Sequence, residues 1–308
     1  MSYSVVVTGG CGFIGSHVIE RLIEKGMRVV AVDDLSTGSI NNLPVGTDFI
    51  HGNITDPGVI RHALKNAEIV IHLAARVTIR DSFRGLAEDV RSNVLGTAVI
   101  LKELADSNVK KFIFASSMAV YGHAQCLPMG EGHLLKPISP YGIGKTACES
   151  YILNYCEHLS IQPVILRYFN TYGPRQSISP YVGVIRTFIT NALQGSPLNI
   201  FGDGNQSRDF ISVHDVSNAT VKAVHYSGEH KVFNVGTGIG TDIRSLASMI
   251  RSLTGSKSDI LFLPAHPGEP LDSVADIRLI TEEMGFSSNE VLEKSILDLI
   301  EWIKKGLN

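Results

Sequence analysis

The chain has 308 residues, of which 44% are hydrophobic and 19% charged, so it can bury a substantial core and wholesale disorder is excluded. Its 27 basic and 30 acidic residues nearly balance, which argues against nucleic acid or a membrane surface as the main partner. A length of this kind favours one large domain together with a smaller one.

Short β-branched runs alternate with helical patterns through the first half of the chain. Strands are predicted at 4–8, 28–33, 68–74 and 111–116, and helices at 12–25, 88–106 and 141–158. Continuous apolar strands that alternate with helices are typical of a parallel sheet covered on both faces. Because crossover connections are right-handed, we expect an α/β fold with a doubly wound parallel (Rossmann) sheet.

The second half of the chain is less regular and contains several Gly and Pro clusters, which favours a smaller C-terminal α/β lobe. We predict a Rossmann domain over residues 1–168, to which residues 210–242 return through a strand at 231–235. Residues 169–209 and 243–308 would then form a substrate lobe. A ligand is expected in the cleft between the two lobes.

A glycine triplet, Gly9, Gly12 and Gly15, separates the first strand from the first helix as G-x-x-G-x-x-G. Glycines here permit a tight turn, close approach of the backbone to a pyrophosphate and close packing of helix on strand. The helix N-terminus then offers free N–H groups to the phosphates. Asp33 ends the next strand, where it can accept hydrogen bonds from a ribose. Because residues 32–36 include two carboxylates and no Arg or Lys, we predict NAD rather than NADP.

A tyrosine and a lysine four residues apart, Tyr141 and Lys145, form a Y-x-x-x-K pair on one helix face. An ammonium beside a phenol is expected to lower the pKa of the tyrosine towards neutrality. Tyr141 could then take a proton from a hydroxyl while hydride leaves the same carbon. Ser117 follows a predicted strand and could hold the reacting oxygen. The alternative role for a serine here, capping the next turn, suits Ser116 better than Ser117.

These residues resemble the extended short-chain dehydrogenase/reductase family, within it the nucleotide-sugar epimerase and dehydratase branch. The resemblance covers essentially the whole chain and includes the blocks H-L-A-A at 72–75, R-Y-F-N at 167–170, Y-G-P-R-Q at 172–176, I-F-G-D-G at 200–204 and S-R-D-F at 207–210. It implies a tightly held NAD and a UDP-sugar lying across the two lobes.

The resemblance also implies two sets of contact residues. Besides Gly9, Gly12, Gly15, Asp33, Tyr141 and Lys145, the cofactor would be contacted by Phe13, Ile14, Asn53, Ile54, Leu73, Ala74, Ala75, Asn93, Ser116 and Tyr168. The substrate would be contacted by Arg76, Ser117, Met118, Tyr141, Asn170, Tyr181, Val184, Asn199, Phe201, Arg208, His266, Glu269 and Ser273.

Three of these residues have stated roles in the resemblance. Asn170 and Arg208 would bind the diphosphate, where an Arg gives a strong charge-assisted bond, and Phe201 would lie against the uracil. Plainer interpretations exist. Arg208 could pair with Asp209 or Asp203 at the surface, and Phe201 could belong to the core.

Two residues, Met118 and Ala119, stand where dehydratases and decarboxylating relatives usually carry an acidic residue. Neither can move a proton, so the sequence favours hydride and proton exchange at a single carbon. That matches 4-epimerisation of a UDP-hexose, in which Tyr141 takes the O4 proton, NAD takes the C4 hydride and the 4-keto sugar turns over before hydride returns. A UDP-glucuronate 4-epimerase, another dehydratase or reductase of the family and a non-catalytic NAD or nucleotide-sugar sensor are the alternatives.

The identity of the sugar depends on a few positions near the C-terminus. His266 stands where the family usually has a diphosphate-binding Arg. Ser273 stands where epimerases restricted to unacetylated sugars carry a bulky residue, so UDP-GlcNAc and UDP-GalNAc are expected beside UDP-Glc and UDP-Gal. The Gly268–Pro270 turn also resembles that of some UDP-glucuronate 4-epimerases.

Location and assembly are expected from weaker signals. By the resemblance, the helices at 88–106 and 141–158 would pair two copies into a homodimer. His72 lies in an apolar strand and is interpreted as a core histidine.

No signal peptide is recognised, so we expect a cytoplasmic protein. Four cysteines without metal-ligand spacing predict free thiols and no metal site: Cys11, Cys126, Cys148 and Cys156.

Overall fold

The structure is a computed structural model that describes residues 4–77, 79–177, 183–265 and 271–307. Seven parallel strands form its main sheet: β1 (Ser4–Thr8), β2 (Arg28–Asp33), β3 (Asp48–His51), β4 (Ile69–His72), β5 (Lys111–Ser117), β6 (Gln162–Tyr168) and β10 (Val232–Val235). Their order in space is β10, β6, β5, β4, β1, β2, β3. The chain therefore winds outward in both directions from its first strand, which confirms the predicted fold class.

Each face of the main sheet carries its own hydrophobic core. In β1, Val5 and Val7 point into one core and Val6 into the other, because side chains alternate along a strand. One core is covered by α1 (Phe13–Glu24), α8 (Val213–His225) and α10 (Arg278–Met284). The other is covered by α2 (Pro57–Leu64), α5 (Gly96–Leu104) and α6 (Pro140–His158). Burial on both faces explains why the strands are apolar throughout.

The helix predicted at 88–106 is not one continuous α-helix. After α3 (Ile79–Arg84), the chain forms α4 (Leu86–Asp89), a π-helical turn over Val90–Leu95, and then α5. Such turns are common at functional sites. The predicted helical stretch is therefore confirmed, whereas the π-helical turn within it was not predicted, because a local widening of this kind leaves the hydrophobic pattern almost unchanged.

The remaining elements build the smaller lobe around a third hydrophobic core. Its strands are β7 (Asn170–Tyr172), β9 (Ser207–Ser212) and β11 (Gly240–Asp242) in one sheet, and β8 (Leu198–Phe201) with β12 (Ile260–Leu263) in another. Its helices are α7 (Val184–Leu193), α9 (Ile243–Thr254) and α11 (Leu292–Leu307). The strand expected at 231–235 is β10, which pairs with β6 at the edge of the main sheet. The exact domain boundaries stay a prediction.

No helix in the described parts of the chain is both long enough and apolar enough to cross a membrane.

Candidate active site

The glycine-rich loop packs so tightly against its neighbours that side chains are excluded. Gly9 has φ +70°, and a Cβ there would lie 2.7 Å from the backbone nitrogen of Ala74. A Cβ on Gly15 would lie 2.9 Å from the Cα of Gly10. Gly12 begins α1 and offers no side chain to accept hydrogen bonds from its first N–H groups. The loop thus has the form that suits a diphosphate at a helix N-terminus.

Two carboxylates lie at the carboxyl end of β2, as the sequence predicted. Asp33 is buried and accepts hydrogen bonds from the backbone N–H of Cys11 at 3.0 Å and of Leu35 at 2.8 Å. Burial raises the pKa of Asp33, while these two N–H groups act in the opposite direction. Asp34 accepts a hydrogen bond from Asn53 at 2.7 Å. Negative charge at this strand end fits a ribose with free hydroxyls better than a phosphorylated one.

The chain that follows β4 crosses directly above the glycine-rich loop. Ala74 donates its N–H to the hydroxyl of Thr8 at 3.3 Å. The same hydroxyl contacts Nδ1 of His72 at 2.7 Å, and Nε2 of His72 contacts Thr97 at 3.0 Å. Burial lowers the pKa of His72 to about 3. His72 is therefore a neutral core residue that fixes this crossing, as its position in an apolar strand predicted.

The other residues that we expect to contact the cofactor differ in how deeply they are buried. Phe13, Ile14, Leu73 and Ala75 are half-buried around the loop, whereas Ile54 belongs to the core. The side chain of Tyr168 also lies in the core, where its hydroxyl meets Thr220 at 2.7 Å. The contact of Tyr168 with a cofactor stays a prediction.

Asn93 points out of the π-helical turn towards the chain that follows β4. Its side chain accepts from the N–H of Arg76 at 2.8 Å and donates to the carbonyl of Arg76 at 3.0 Å. It also donates to Asp89 at 3.1 Å. Asn93 thereby fixes the backbone beside the site, and direct contact with NAD stays a prediction.

The serine that caps the turn after β5 is Ser117, not Ser116, contrary to the sequence-based preference. The hydroxyl of Ser117 accepts from the N–H of Ala119 at 3.2 Å and opens a 3-10 turn over Met118–Val120. Ser116 instead donates to Glu149 at 2.5 Å beneath the sheet edge. Alternation along β5 explains the difference, because neighbouring side chains face opposite sides.

Tyr141 and Lys145 occupy the first turns of α6. Pro140 and the Ser139 cap, which accepts from Gly142 at 3.1 Å, fix where this helix begins. The Lys145 ammonium lies 5.8 Å from the ring centroid of Tyr141 and donates to the carbonyl of Ala115 at 2.8 Å. Both side chains are buried on the same helix face, which confirms the geometric part of the prediction.

The sequence led us to expect a lowered pKa for Tyr141. With only the protein's own residues around it, that direction is wrong. Burial raises the pKa of Tyr141 to about 12, and the nearby Asp89 adds to this. A hydrogen bond with Ser117 acts the other way. Burial also lowers the pKa of Lys145 to about 8. Desolvation therefore has the largest effect on the pKa of Tyr141.

Below the catalytic residues lies a buried polar network that the sequence reasoning missed. Glu149, one turn after Lys145, receives two hydrogen bonds from Arg167, at 2.6 and 2.9 Å. Arg167 also donates to the hydroxyl of Tyr121 at 3.0 Å, and Tyr121 donates to Asn234 at 2.6 Å. Two signals were available: the spacing from Lys145 to Glu149 and the arginine that opens the R-Y-F-N block.

Three of the expected substrate residues come together in the smaller lobe. Asn170 lies on β7 and neighbours β9, which carries Arg208. Arg208 pairs through its backbone with Ser273, whose hydroxyl lies 3.5 Å from Oδ1 of Asn170. The guanidinium of Arg208 donates to the carbonyls of Ser207 and Leu271 at 2.8 Å each. Asp209, one of the two carboxylates considered as alternative partners of Arg208, accepts hydrogen bonds from the backbone N–H groups of Thr237, Gly238 and Ala275.

The other expected substrate residues are more dispersed. Asn199 and Phe201 share one face of β8, opposite the buried Leu198 and Ile200, so Phe201 is not a core residue. Val184 begins α7, Met118 is buried after β5 and Arg76 is exposed after β4. Tyr181, His266 and Glu269 lie outside the described residues.

A doubly wound sheet, a glycine-rich loop and a buried Ser/Tyr/Lys group at the end of β5 define a dinucleotide-dependent enzyme of the dehydrogenase/reductase type. Residues 5–236 match the model of the NAD dependent epimerase/dehydratase family. The chain belongs to that family.

The chain is similar over nearly its whole length to several UDP-sugar epimerases. UDP-glucose 4-epimerase of Mycolicibacterium smegmatis is 32% identical over 97% of this chain and 98% of its own. The structure of UDP-glucose 4-epimerase from Thermotoga maritima with UDP-glucose superposes with TM-score 0.95, at 36% identity over 99% of this chain and all of its own (100%). UDP-N-acetylglucosamine 4-epimerase from Methanobrevibacter ruminantium, in complex with UDP-N-acetylmuramic acid, gives TM-score 0.94 at 34% identity over 99% of both chains.

Proposed function

We propose that this enzyme inverts C4 of a UDP-hexose, interconverting UDP-Glc with UDP-Gal and UDP-GlcNAc with UDP-GalNAc. One observation carries the proposal. Ser117, Tyr141 and Lys145 converge at the end of β5, while the adjacent 3-10 turn supplies only Met118 and Ala119. The described residues of that turn carry no acid–base side chain, so Tyr141 is assigned the proton transfer at a single carbon, which suits epimerisation and not dehydration.

The cofactor of this family is NAD, and the residues of the glycine-rich loop and β2 fit it. When bound there, the cofactor would supply reversible hydride transfer. The chain itself binds and orients: the N-terminus of α1 receives the diphosphate, and Asp33 receives the ribose hydroxyls. Ser117 holds the O4 oxygen of the sugar, and the phenol of Tyr141 moves the O4 proton. Lys145, fixed by the carbonyl of Ala115, holds its charge beside that phenol.

The nucleotide end of the substrate is assigned to the smaller lobe. Asn170 and Arg208 would bind the diphosphate and Phe201 the uracil, which leaves the hexose free to turn over between two hydride transfers. Ser273 is small and fully buried beside Asn170. No bulky side chain at that position blocks an N-acetyl group, which supports the acetylated sugars as substrates.

A homodimer is proposed from an exposed apolar surface on the helices that the sequence singled out. Phe83, Leu86, Val90 and Leu95 on the α3–α5 segment are exposed by 46–59%, and Tyr151 on α6 by 56%. Such a surface costs free energy in water unless it is covered. We expect a second copy to cover it, and sedimentation equilibrium that gives a monomer at all concentrations would refute this.

A cytoplasmic location is proposed from the state of the cysteines. All four are free thiols, three of them buried, and none forms a disulfide. Free thiols persist in a reducing compartment. Fractionation of cells that express the native chain would test this directly.

The test of function is direct assay of the purified protein. UDP-Glc, UDP-GlcNAc and UDP-GlcA are incubated separately, and C4-inverted products are followed by NMR. We expect inversion of the first two. Inversion of UDP-GlcA alone would assign the enzyme to uronates, and an absorbing 4-keto-6-deoxy product would make it a dehydratase. If the protein binds NAD but converts none of the three nucleotide sugars, it is a sensor and the proposal is wrong.

A further inference from the structure

Asp89 is a buried carboxylate beside the catalytic pair for which the reaction as described has no use. It ends α4 and is only 2% exposed. Its Oδ1 accepts a hydrogen bond from Asn93 at 3.1 Å. Its Oδ2 is buried and has no hydrogen-bond partner within the described ranges. A carboxylate oxygen in this situation is costly unless a nearby charge compensates it.

The bare oxygen of Asp89 faces the catalytic helix. A Cβ placed on Gly144 would lie 3.6 Å from Oδ2, so the carboxylate sits against the backbone of α6 where that helix has no side chain. Gly144 lies between Tyr141 and Lys145 in sequence. The charge of Asp89 acts on both of these residues, favouring the protonated form of each.

Other charged or titratable groups face Asp89 from neighbouring elements. Burial raises the pKa of Asp89, whereas the hydrogen bond from Asn93, the charge of Lys145 on α6 and that of Arg76 after β4 act to lower it. Cys148, one turn beyond Lys145, also acts on the catalytic pair. From α3, Ser82 accepts the N–H of Tyr141 at 3.2 Å, and the side chains of residues 79–81 lie outside those described.

We propose that Asp89 is a positioning residue of the acid–base pair: its carboxylate, held against α6 at Gly144, is a buried counter-charge of the Lys145 ammonium, in addition to Glu149 one turn further along that helix. Asn93 orients it and, through the backbone of Arg76, links it to the chain that follows β4. Asp89 acts through Lys145 and Tyr141 and does not contact the reacting carbon. Only the kinetic test of this inference depends on the proposed function.

The test is Asp89→Asn, which keeps shape and hydrogen-bonding capacity but removes the charge. Without that charge Tyr141 ionises more easily, so the acidic limb of the kcat/KM profile should move to lower pH by about half a unit or more. The matched control is Glu103→Gln on α5, a carboxylate of similar burial that pairs with Arg61 at 2.9 Å. The control should leave the profile unchanged.

A second measurement separates this inference from the proposed function. The ultraviolet titration of the Tyr141 phenol, taken as the difference between each protein and the same protein with Tyr141→Phe, needs no substrate. Asp89→Asn should shift that titration to lower pH. An unshifted titration in a folded variant would overturn the inference even if the enzyme is an epimerase.

If Asp89→Asn does not fold, Asp89→Ser is tested instead, because serine is smaller and also neutral. For Asp89→Ser we expect the same shift of the kcat/KM profile and of the phenol titration to lower pH. Loss of folding in both variants would assign Asp89 to the stability of the fold, and the inference would be abandoned.

Discussion

Glu149 and Arg167 form a two-point ion pair between α6 and β6, with Nη2–Oε2 at 2.6 Å and Nε–Oε1 at 2.9 Å. Both side chains are at most 5% exposed. The pair lies one helical turn beyond Lys145 and also receives the hydroxyl of Ser116. It therefore ties the catalytic helix to two central strands at the level of the site.

Breaking that ion pair should destabilise the fold strongly. Glu149→Gln leaves the buried guanidinium of Arg167 without its counter-charge, and we expect a loss of about 3–5 kcal/mol in the free energy of unfolding. Urea unfolding measures this. The double variant Glu149→Gln with Arg167→Met should recover much of the loss, since it removes both charges. A double variant no more stable than the single one would disprove this explanation.

Removing the phenolic hydroxyl should stop the reaction without removing the cofactor. Tyr141→Phe takes away the group that moves the O4 proton, and we expect kcat to fall by about 10²–10⁴-fold or to below detection. NAD content, read by absorbance after denaturation, should stay the same. Tyr151→Phe, on the exposed face of the same helix, is the control and should retain activity. Near-normal rates for Tyr141→Phe would show that the base is another residue.

A side chain at Gly15 should cost cofactor binding. Its Cβ would press on the backbone of Gly9 and lie 2.9 Å from the Cα of Gly10, so the loop must move. For Gly15→Val we expect the Kd for NAD to rise by about tenfold or more, measured by calorimetry on the cofactor-stripped protein. Gly132→Ala, whose Cβ would meet nothing within 4 Å, should bind NAD as before. Unchanged affinity for Gly15→Val would contradict the tight packing.

His72 should make stability depend on pH in a defined direction. Its pKa in the folded protein is about 3, below the ordinary 6.5, so on acidification the unfolded chain takes up a proton that the folded chain refuses. Stability from this residue is full above pH 6.5 and is lost as the pH falls from 6.5 towards 3, by about 1.4 kcal/mol per unit.

His72→Gln removes that dependence, and comparison of urea unfolding at two pH values would reveal it. The stability advantage of the wild-type protein over His72→Gln should shrink by about 2 kcal/mol between pH 7.5 and pH 5. His62→Gln, at an exposed position on α2, is the control and should give a constant difference. A constant difference for His72→Gln as well would mean that His72 is protonated in the fold.

Local sequence determined the elements that bind the dinucleotide. Gly9 is required by its φ of +70° and its close approach to Ala74, and Gly15 by its close approach to Gly9 and Gly10. Asp33 could be predicted as a ribose-binding residue because an acidic residue at the end of the second strand accepts hydrogen bonds from the ribose in dinucleotide-binding folds. Tyr141 and Lys145 share a face because a helix repeats every 3.6 residues, so their spacing alone placed them together.

Only the tertiary structure decided which groups surround that pair. Burial has the largest effect on the pKa of Tyr141, and burial depends on the packing of α6 against β5 and α4. The ion pair of Glu149 with Arg167 joins residues 18 positions apart, and no local period predicts it. Asp89, at the end of α4, likewise lies against Gly144 of α6, a contact that the hydrophobic pattern does not reveal. Sequence periodicity reports which side of an element a residue faces, whereas charge balance at a site depends on distances across elements.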